Sequence, residues 1–460
     1  MKKSPVASAA RLYTPRATLC ALGLKVRSLK LFDIIGERVR IRQKTVKHTP
    51  LEKLQDAFIA VLAGAHGLVE VNTRVRSDEA LQRAFGREGC AEQSVVQETL
   101  SACTGENVRQ MEEAVDVIFR THSRAYRHDY KRCLQLLDVD LTGLPCGKSA
   151  EEARKGYLSG YGVRRGRQMG RVMASAYDEV VADRLYAGNL QLHDTLPHLV
   201  EALERTLELD EAKRRRTVLR IDAGGGSMNG VNWLLRRGYH VHCKDFSSKR
   251  AAHYALSVRE WVADPRHKGR ELGWAVVKEG DYARPVRRLA LRWRKRNGQR
   301  YHALLISSLE PCDVLKLLGM APVLITDERA VMLAYAQLYD GRGGGVEIDI
   351  KESKQGLGVT KRRKKSFTGQ QMVALLGALA HNVVVWAKRW ISEDAPKLRR
   401  YGVQRIVRDV LAVSGFIELG RTGTIKRVVL NGVSALGRAC AKAFRLLLEA
   451  EHVRVTSGET

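Results

Sequence analysis

Negative charge is what this chain lacks. Its 460 residues hold 50 Asp and Glu against 79 Lys and Arg, a net charge of +29 and a pI near 10.0. A shortage of acid on that scale calls for a polyanionic partner, either nucleic acid or an anionic membrane. Long apolar runs are missing too. No stretch reaches the roughly 18 residues needed to span a bilayer, and no strongly amphipathic terminal helix suggests a surface role, so no membrane is expected. The N-terminus is basic, but Arg11, Arg16, Lys25 and Arg27 interrupt the apolar core that an export signal requires. No two of the eight cysteines stand at CxxC spacing, which excludes the usual zinc and redox motifs and fits a reduced, cytoplasmic setting. Internal repeats and long low-complexity segments are absent as well. What is present is 44% hydrophobic content, enough for two to four domains with real cores.

The N-terminal region, 1–125, reads as helical and DNA-binding, with the first 30 or so residues a basic, irregular arm. Leu51, Leu54, Phe58, Val61 and Leu62 recur at helical spacing, and Thr104 marks a helix start before Val108, Met111, Val115 and Ile118. Such helices suit a DNA-binding module and equally a small helical bundle. Between 126 and 245 the expected order is three strands, helix, strand, helix, strand. The first strand is LQLLDVDL, Leu134–Leu141, and the fourth ends on Asp222. Ribonuclease-H-like nucleases and transposases use this mixed α/β arrangement. Residues 246–326 read as a β-rich insertion with strand-like pieces at 274–277, 289–293 and 301–307. Residues 327–395 return to helix and complete the core, and 396–460 form a C-terminal region of helix, hairpin and helix.

The chemistry concentrates in YDGRGGGVEIDIKESK, Tyr339–Lys354. Glu347, Lys351 and Lys354 stand four and seven residues apart, and Tyr339 and Arg342 three apart, so each set shares a helix face. A carboxylate flanked by Arg and Lys can hold a divalent cation while its neighbours grip phosphates; the same spacing also makes an ordinary solvated helix. Asp140, at the end of the first strand, and Asp222, at the end of the fourth, join Glu347 as acidic candidates. Three converging carboxylates are costly unless cations neutralise them. Asp138 faces the same side as Asp140; Asp140 is preferred for its place at the strand's end.

These residues resemble the DDE transposases of bacterial insertion sequences, in the group with a Tyr-Arg-Glu-Lys signature. The resemblance runs from about Leu134 to Trp390 and rests on LLDVDLTG, VLRIDAGGGS and YDGRGGGVEIDIKESKQGLG, followed by TKRRKKSF and QQMVALLGALAHNVVVWAKRW. The family pattern separates Tyr and Arg by two residues, Arg and Glu by three, and Glu and Lys by six. Tyr339/Arg342 and Glu347/Lys354 fit. Arg342 to Glu347 is one residue longer, within the glycine run, and Asp349 and Glu352 are the alternative acids. The resemblance implies that Asp140, Asp222 and Glu347 bind two Mg²⁺ ions, with Mn²⁺ as a substitute. It implies that Arg342 and Lys354 hold phosphates and that Tyr339 positions the strand. It further implies a homodimer on double-stranded DNA in the bacterial cytoplasm, at the nucleoid. There it would cut terminal inverted repeats and join the 3′-hydroxyl to target DNA. The rival reading is a basic DNA-binding protein with an inactive nuclease-like core.

Two glycine motifs compete. GLPCGKS, Gly143–Ser149, is one residue short of a phosphate-binding loop, and DAGGGSMNG, Asp222–Gly230, has Asn229 in place of the third dinucleotide-turn glycine. His381, Trp386 and Trp390 read as packed helix residues, and KRRKK at Lys361–Lys365 as a phosphate contact.

Overall fold

The computed structural model describes residues 10–276, 280–294, 298–358 and 363–458, apart from the side chain of Asp349. Val277, Asp349 as an alternative acid, Lys361 and Arg362, and the first nine residues of the arm lie outside the described residues. The chain divides into two compact units. One takes the described parts of Met1–Ser123 and Asp349–Thr460 with Ser149–Glu151, and the other Arg124–Lys148 with Glu152–Ile348.

The first unit begins with β1 (Arg11–Thr14), α1 (Ala17–Ser28), α2 (Leu31–Arg38), α3 (Pro50–Leu62), α4 (Glu79–Ala84), α5 (Gln93–Ala102) and α6 (Gly105–His122). Helix α3 starts where Thr49 accepts from the Glu52 amide, Glu52 reaches back, and Pro50 needs no partner for its nitrogen. Thr104 and Asn107 cap α6 in the same way. The expected irregular arm is instead ordered from Arg11 onward. Its apolar run from Ala17 to Val26 is buried as α1, a burial that the flanking arginines and lysines disguise in sequence.

The second unit continues with β2 (Gln135–Pro145), β3 (Arg154–Leu158), β4 (Gly162–Ala174), β5 (Glu179–Ala187), α7 (Leu192–Leu207), α8 (Glu211–Arg214), β6 (Thr217–Ile221), α9 (Met228–Arg236) and β7 (His240–Lys244). Then come α10 (Ser248–Ala255), β8 (Val262–Ala263), β9 (Arg270–Trp274), β10 (Arg287–Arg294), β11 (Arg300–Ser307), α11 (Pro311–Leu317) and α12 (Glu328–Arg342). All ten strands form one sheet, ordered β3-β4-β2-β6-β7-β11-β10-β9-β8 with β5 also beside β4. Strands β2, β4 and β5 run antiparallel, and β6 and β7 run parallel to β2 on its other side. This is the ribonuclease-H-like mixed sheet. One feature differs from the sequence reading. Strand β3 adds an edge piece beside β4. The β-rich insertion carries the core sheet onward, with its strand β11 paired to β7. Its apolar residues Leu289, Leu291 and Leu305 pack with Tyr335 and Leu338 of α12, which seats that helix against the sheet.

The first unit is completed by α13 (Ile348–Gly356), α14 (Phe367–Ser392), α15 (Val403–Arg405), β12 (Gly415–Leu419), β13 (Ile425–Asn431), α16 (Ala435–Leu447) and β14 (Arg454–Gly458). Helix α13 starts on the last residue of the second unit. Strands β1, β12, β13 and β14 make a four-stranded sheet, so residues from the two ends of the chain share one sheet where the sequence suggested separate regions. Helix α14 is long and apolar enough to cross a membrane by length and composition, yet it is buried as a core helix against α3, α5, α6 and α16. His381 and Trp386 are buried in it.

Candidate active site

Strand β2 sets the first carboxylates. Val139 pairs with Ile221 of β6, so Asp140 and Asp222 each lie one residue past the last paired position of this parallel ladder. Strand β2 itself runs on to Pro145 against β4, so Asp140 ends the β6 pairing and not the strand. Asp138, two residues back, is fully buried and committed. Arg220 donates to it through Nε at 2.6 Å and Nη2 at 2.7 Å, and the Ser175 hydroxyl donates as well. The third nitrogen of Arg220 donates to the Leu338 carbonyl at 2.6 Å, tying α12 to the sheet.

Helix α12 then delivers Tyr339 and Arg342 to the aspartates. The Tyr339 hydroxyl donates to Asp222 Oδ1 at 2.9 Å. Arg342 is 3% exposed and sits among all three predicted acids: 3.4 Å from Asp140, 3.5 Å from Asp222 and 2.9 Å from Glu347. Glu347 reaches it because Gly343–Glu347 forms a π-helical turn with a kink at Gly345, where φ is −96° and ψ −106°. A π-turn carries one residue more than an α-turn, so the extra glycine is absorbed and the carboxylate returns to the arginine. Gly345 also has to be small, since a Cβ there would stand 2.9 Å from Asp138 Oδ2.

Exposure is graded across the cluster, from 17% for the Asp140 side chain to 45% for Asp222 and 53% for Glu347. Burial pushes the Asp140 carboxyl up to about 6; Arg342 opposes this, while Asp222 and Glu347 add to it. At Asp222 burial also pushes upward, but Arg342, the Ala223 amide, Tyr339 and Lys244 outweigh it and hold the carboxyl below its usual range. Burial, then Asp222, raises the Tyr339 hydroxyl, which keeps it a donor. Lys244, at the end of β7, lies 5.2 Å from the Tyr339 ring centroid; only its position after an apolar strand could have pointed to it.

Three carboxylates against Arg342 and the nearby Lys244 leave the cluster net negative. Arg342 Nη1 is buried and finds no hydrogen-bond acceptor among the described residues, so one of its donors stays open. An all-oxygen donor set of this charge fits Mg²⁺ or Mn²⁺. Asp264, His267 and Asp340 form a second group whose ligand atoms lie within 4.8 Å of one another. There Arg270 donates to Asp264 at 2.8 Å and to Asp340 at 3.0 Å, and Arg266 lies 3.6 Å from Asp264, so the two acids are already neutralised.

Five of the six predicted site residues thus meet in one cluster. The sixth, Lys354, is half-buried on α13, seven residues after Glu347, and belongs to the other unit. Among the alternative acids, Glu352 faces Gly402. GLPCGKS begins inside β2 and is followed by β3 rather than a helix, so it cannot cradle a phosphate. In DAGGGS, Gly226 is required by packing, because a Cβ would stand 1.8 Å from the Lys244 carbonyl.

Residues 131–383, more than half of the chain, match the family model described as the transposase DDE domain. The chain belongs to the transposase DDE domain family. The matched region contains every carboxylate of the cluster together with Tyr339, Arg342 and Lys354. No curated protein matches the chain. Among solved structures it is similar to piggyBac transposase in a synaptic complex with hairpin DNA, at 12% identity over 96% of this chain and 84% of that one, with a TM-score of 0.44.

Proposed function

We propose that this DDE-family chain is the transposase of a bacterial insertion sequence in the Tyr-Arg-Glu-Lys group. In this reading it acts as a homodimer in the bacterial cytoplasm, cuts its element at terminal inverted repeats and joins the freed 3′-hydroxyl to target DNA. The observation that supports it is the convergence of Asp140, Asp222 and Glu347 on Arg342. Two Mg²⁺ ions held by the three carboxylates would supply an activated water or 3′-hydroxyl and a stabilised leaving oxygen. Asp140 forms the buried wall of the site and Asp222 and Glu347 its open side, where a phosphodiester can enter. Tyr339 orients Asp222. Arg342 balances the carboxylates in their absence of metal and is available to a phosphate oxygen once cations take over that charge. Lys354 adds a second phosphate contact, and the basic surface supplies affinity with a steep salt dependence.

The test is cleavage of DNA carrying the inverted repeats that flank the gene, with and without Mg²⁺. Nicking that needs Mg²⁺, and that Asp222→Ala abolishes while DNA binding persists, is the expected result. Binding without cleavage at any divalent-ion concentration would instead favour the rival reading, an inactive nuclease-like core.

A further inference from the structure

The arginine-rich end of the β10–β11 hairpin has no part in the site above. Arg294 and Arg300 are paired directly across this antiparallel ladder, and Arg292 is paired with His302 two positions inward. Residues directly opposite, or two apart along a strand, share a sheet face. All four basic side chains therefore point the same way. Like charges placed directly opposite destabilise a sheet. Arg294 and Arg300 are both exposed, and neither makes an ion pair among the described residues. Glu271 on β9 is the one neighbouring acid on this face among the described residues; Arg292 holds it at 2.7 Å, and Arg300 and Arg294 act on the same carboxylate from farther off, so three arginines share one negative charge. The Arg292 guanidinium lies 4.1 Å from the Trp261 ring centroid, which fixes its plane. On the opposite face the Trp293 and Tyr301 rings meet tilted, with centroids 4.5 Å apart, and pack against the core beneath α12, so the arginines stand on an anchored hairpin.

Arg292, Arg294 and Arg300 border a cleft of about 570 Å³ at the edge of the sheet, where Arg270 and Trp293 from the other face and the acids Asp264 and Glu271 also line it. The surroundings are positive. Burial, then Arg292 and Arg300, pushes the His302 imidazole below its usual range. One wall residue also touches the helix that serves the carboxylate site. Arg270, in its wall, bonds Asp340, while Tyr339 and Arg342 on the same helix face the aspartates.

We propose that this cleft binds the phosphate backbone of the DNA on which the chain acts, with Arg294 and Arg300 as its two phosphate contacts. Guanidinium groups match phosphate oxygens in a two-pronged geometry, and a polyanion removes the repulsion that the bare ladder carries. The proposal rests on the reading of the chain as a DNA transposase.

The test is fluorescence anisotropy on a short duplex of arbitrary sequence in EDTA, repeated across a salt series, with the full chain and its Arg294→Gln/Arg300→Gln variant. The expected result is binding about tenfold weaker and a log–log salt slope shallower by about two. The melting temperature should hold or rise, as relief of a like-charge pair requires and loss of a structural contact does not. Should the double variant melt earlier, Arg300→Gln alone carries the test, with a slope change of about one. Unchanged affinity and slope overturn the cleft while leaving the transposase reading intact. A wild-type chain that binds no DNA overturns both.

Discussion

Arg342 Nη2 donates to Glu347 Oε1 at 2.9 Å across a turn one residue longer than an α-turn. The glycine run makes this possible, and its members are not equivalent. A Cβ at Gly345 would stand 2.9 Å from Asp138 Oδ2, whereas one at Gly344 meets nothing within 4 Å. Gly345→Ala should cost about 1–3 kcal/mol, as overpacking against a fixed group does, and Gly344→Ala much less. Thermal melting of the two variants decides it; equal shifts would mean that the kink is not held by its neighbours.

Asp138 and Asp140 share a strand face but should fail differently. Asp138→Asn breaks a buried ion pair with Arg220 and should destabilise the chain by about 3–5 kcal/mol. Asp140→Asn removes one of three mutually repelling carboxylates, so stability should hold or improve while Mg²⁺-dependent cleavage disappears. Urea unfolding beside a cleavage assay separates the two. A stable, active Asp140→Asn would remove that residue from the site.

Tyr339→Phe deletes the hydroxyl that donates to Asp222 and little else. Asp222 keeps Arg342 3.5 Å away, so stability should change by about 1 kcal/mol or less. Losing a group that orients a metal ligand typically weakens metal binding by about 10–100-fold. The Mg²⁺ concentration for half-maximal cleavage should rise accordingly; if it stays put, Tyr339 serves DNA and not Asp222.

His242 gives the second unit an acid sensitivity. Burial first, then the neighbouring Arg220, pushes its imidazole from 6.5 down to about 3. Below pH 6.5 the unfolded chain therefore takes up a proton that the folded chain refuses. Stability present above that pH is lost as pH falls towards 3, by up to about 1.4 kcal/mol per pH unit. His242→Gln, which still offers a donor to the Tyr335 carbonyl, should flatten the decline in urea midpoint between pH 7 and pH 5. An unchanged decline would assign the sensitivity to other groups.

Local pattern carried much of this architecture. The apolar runs that became β2, β6 and β7, the cap at Thr104, and the spacing of Tyr339 from Arg342 are all readable from residues within one turn or strand of each other. Strand β3 was not, because its exposed, basic sequence is a strand only by virtue of the β4 edge beside it. The same holds for β1, four residues whose partner, β12, lies some four hundred positions away in the chain.

Composition and spacing by themselves determined that a basic, mixed α/β chain would carry acids at its strand ends and a Tyr-x-x-Arg pair before a glycine run. Tertiary structure alone decided which aspartate is free. Asp138 and Asp140 share one face of β2, and the fold separates them: Arg220, opposite Asp138 on β6, neutralises the first, while the second lies past that pairing and is left to Arg342. It also decided where the extra glycine goes, into a π-turn that brings Glu347 back to Arg342. Charge pairing and turn geometry depend on neighbours brought near by folding, and the order of residues along the chain does not contain those distances.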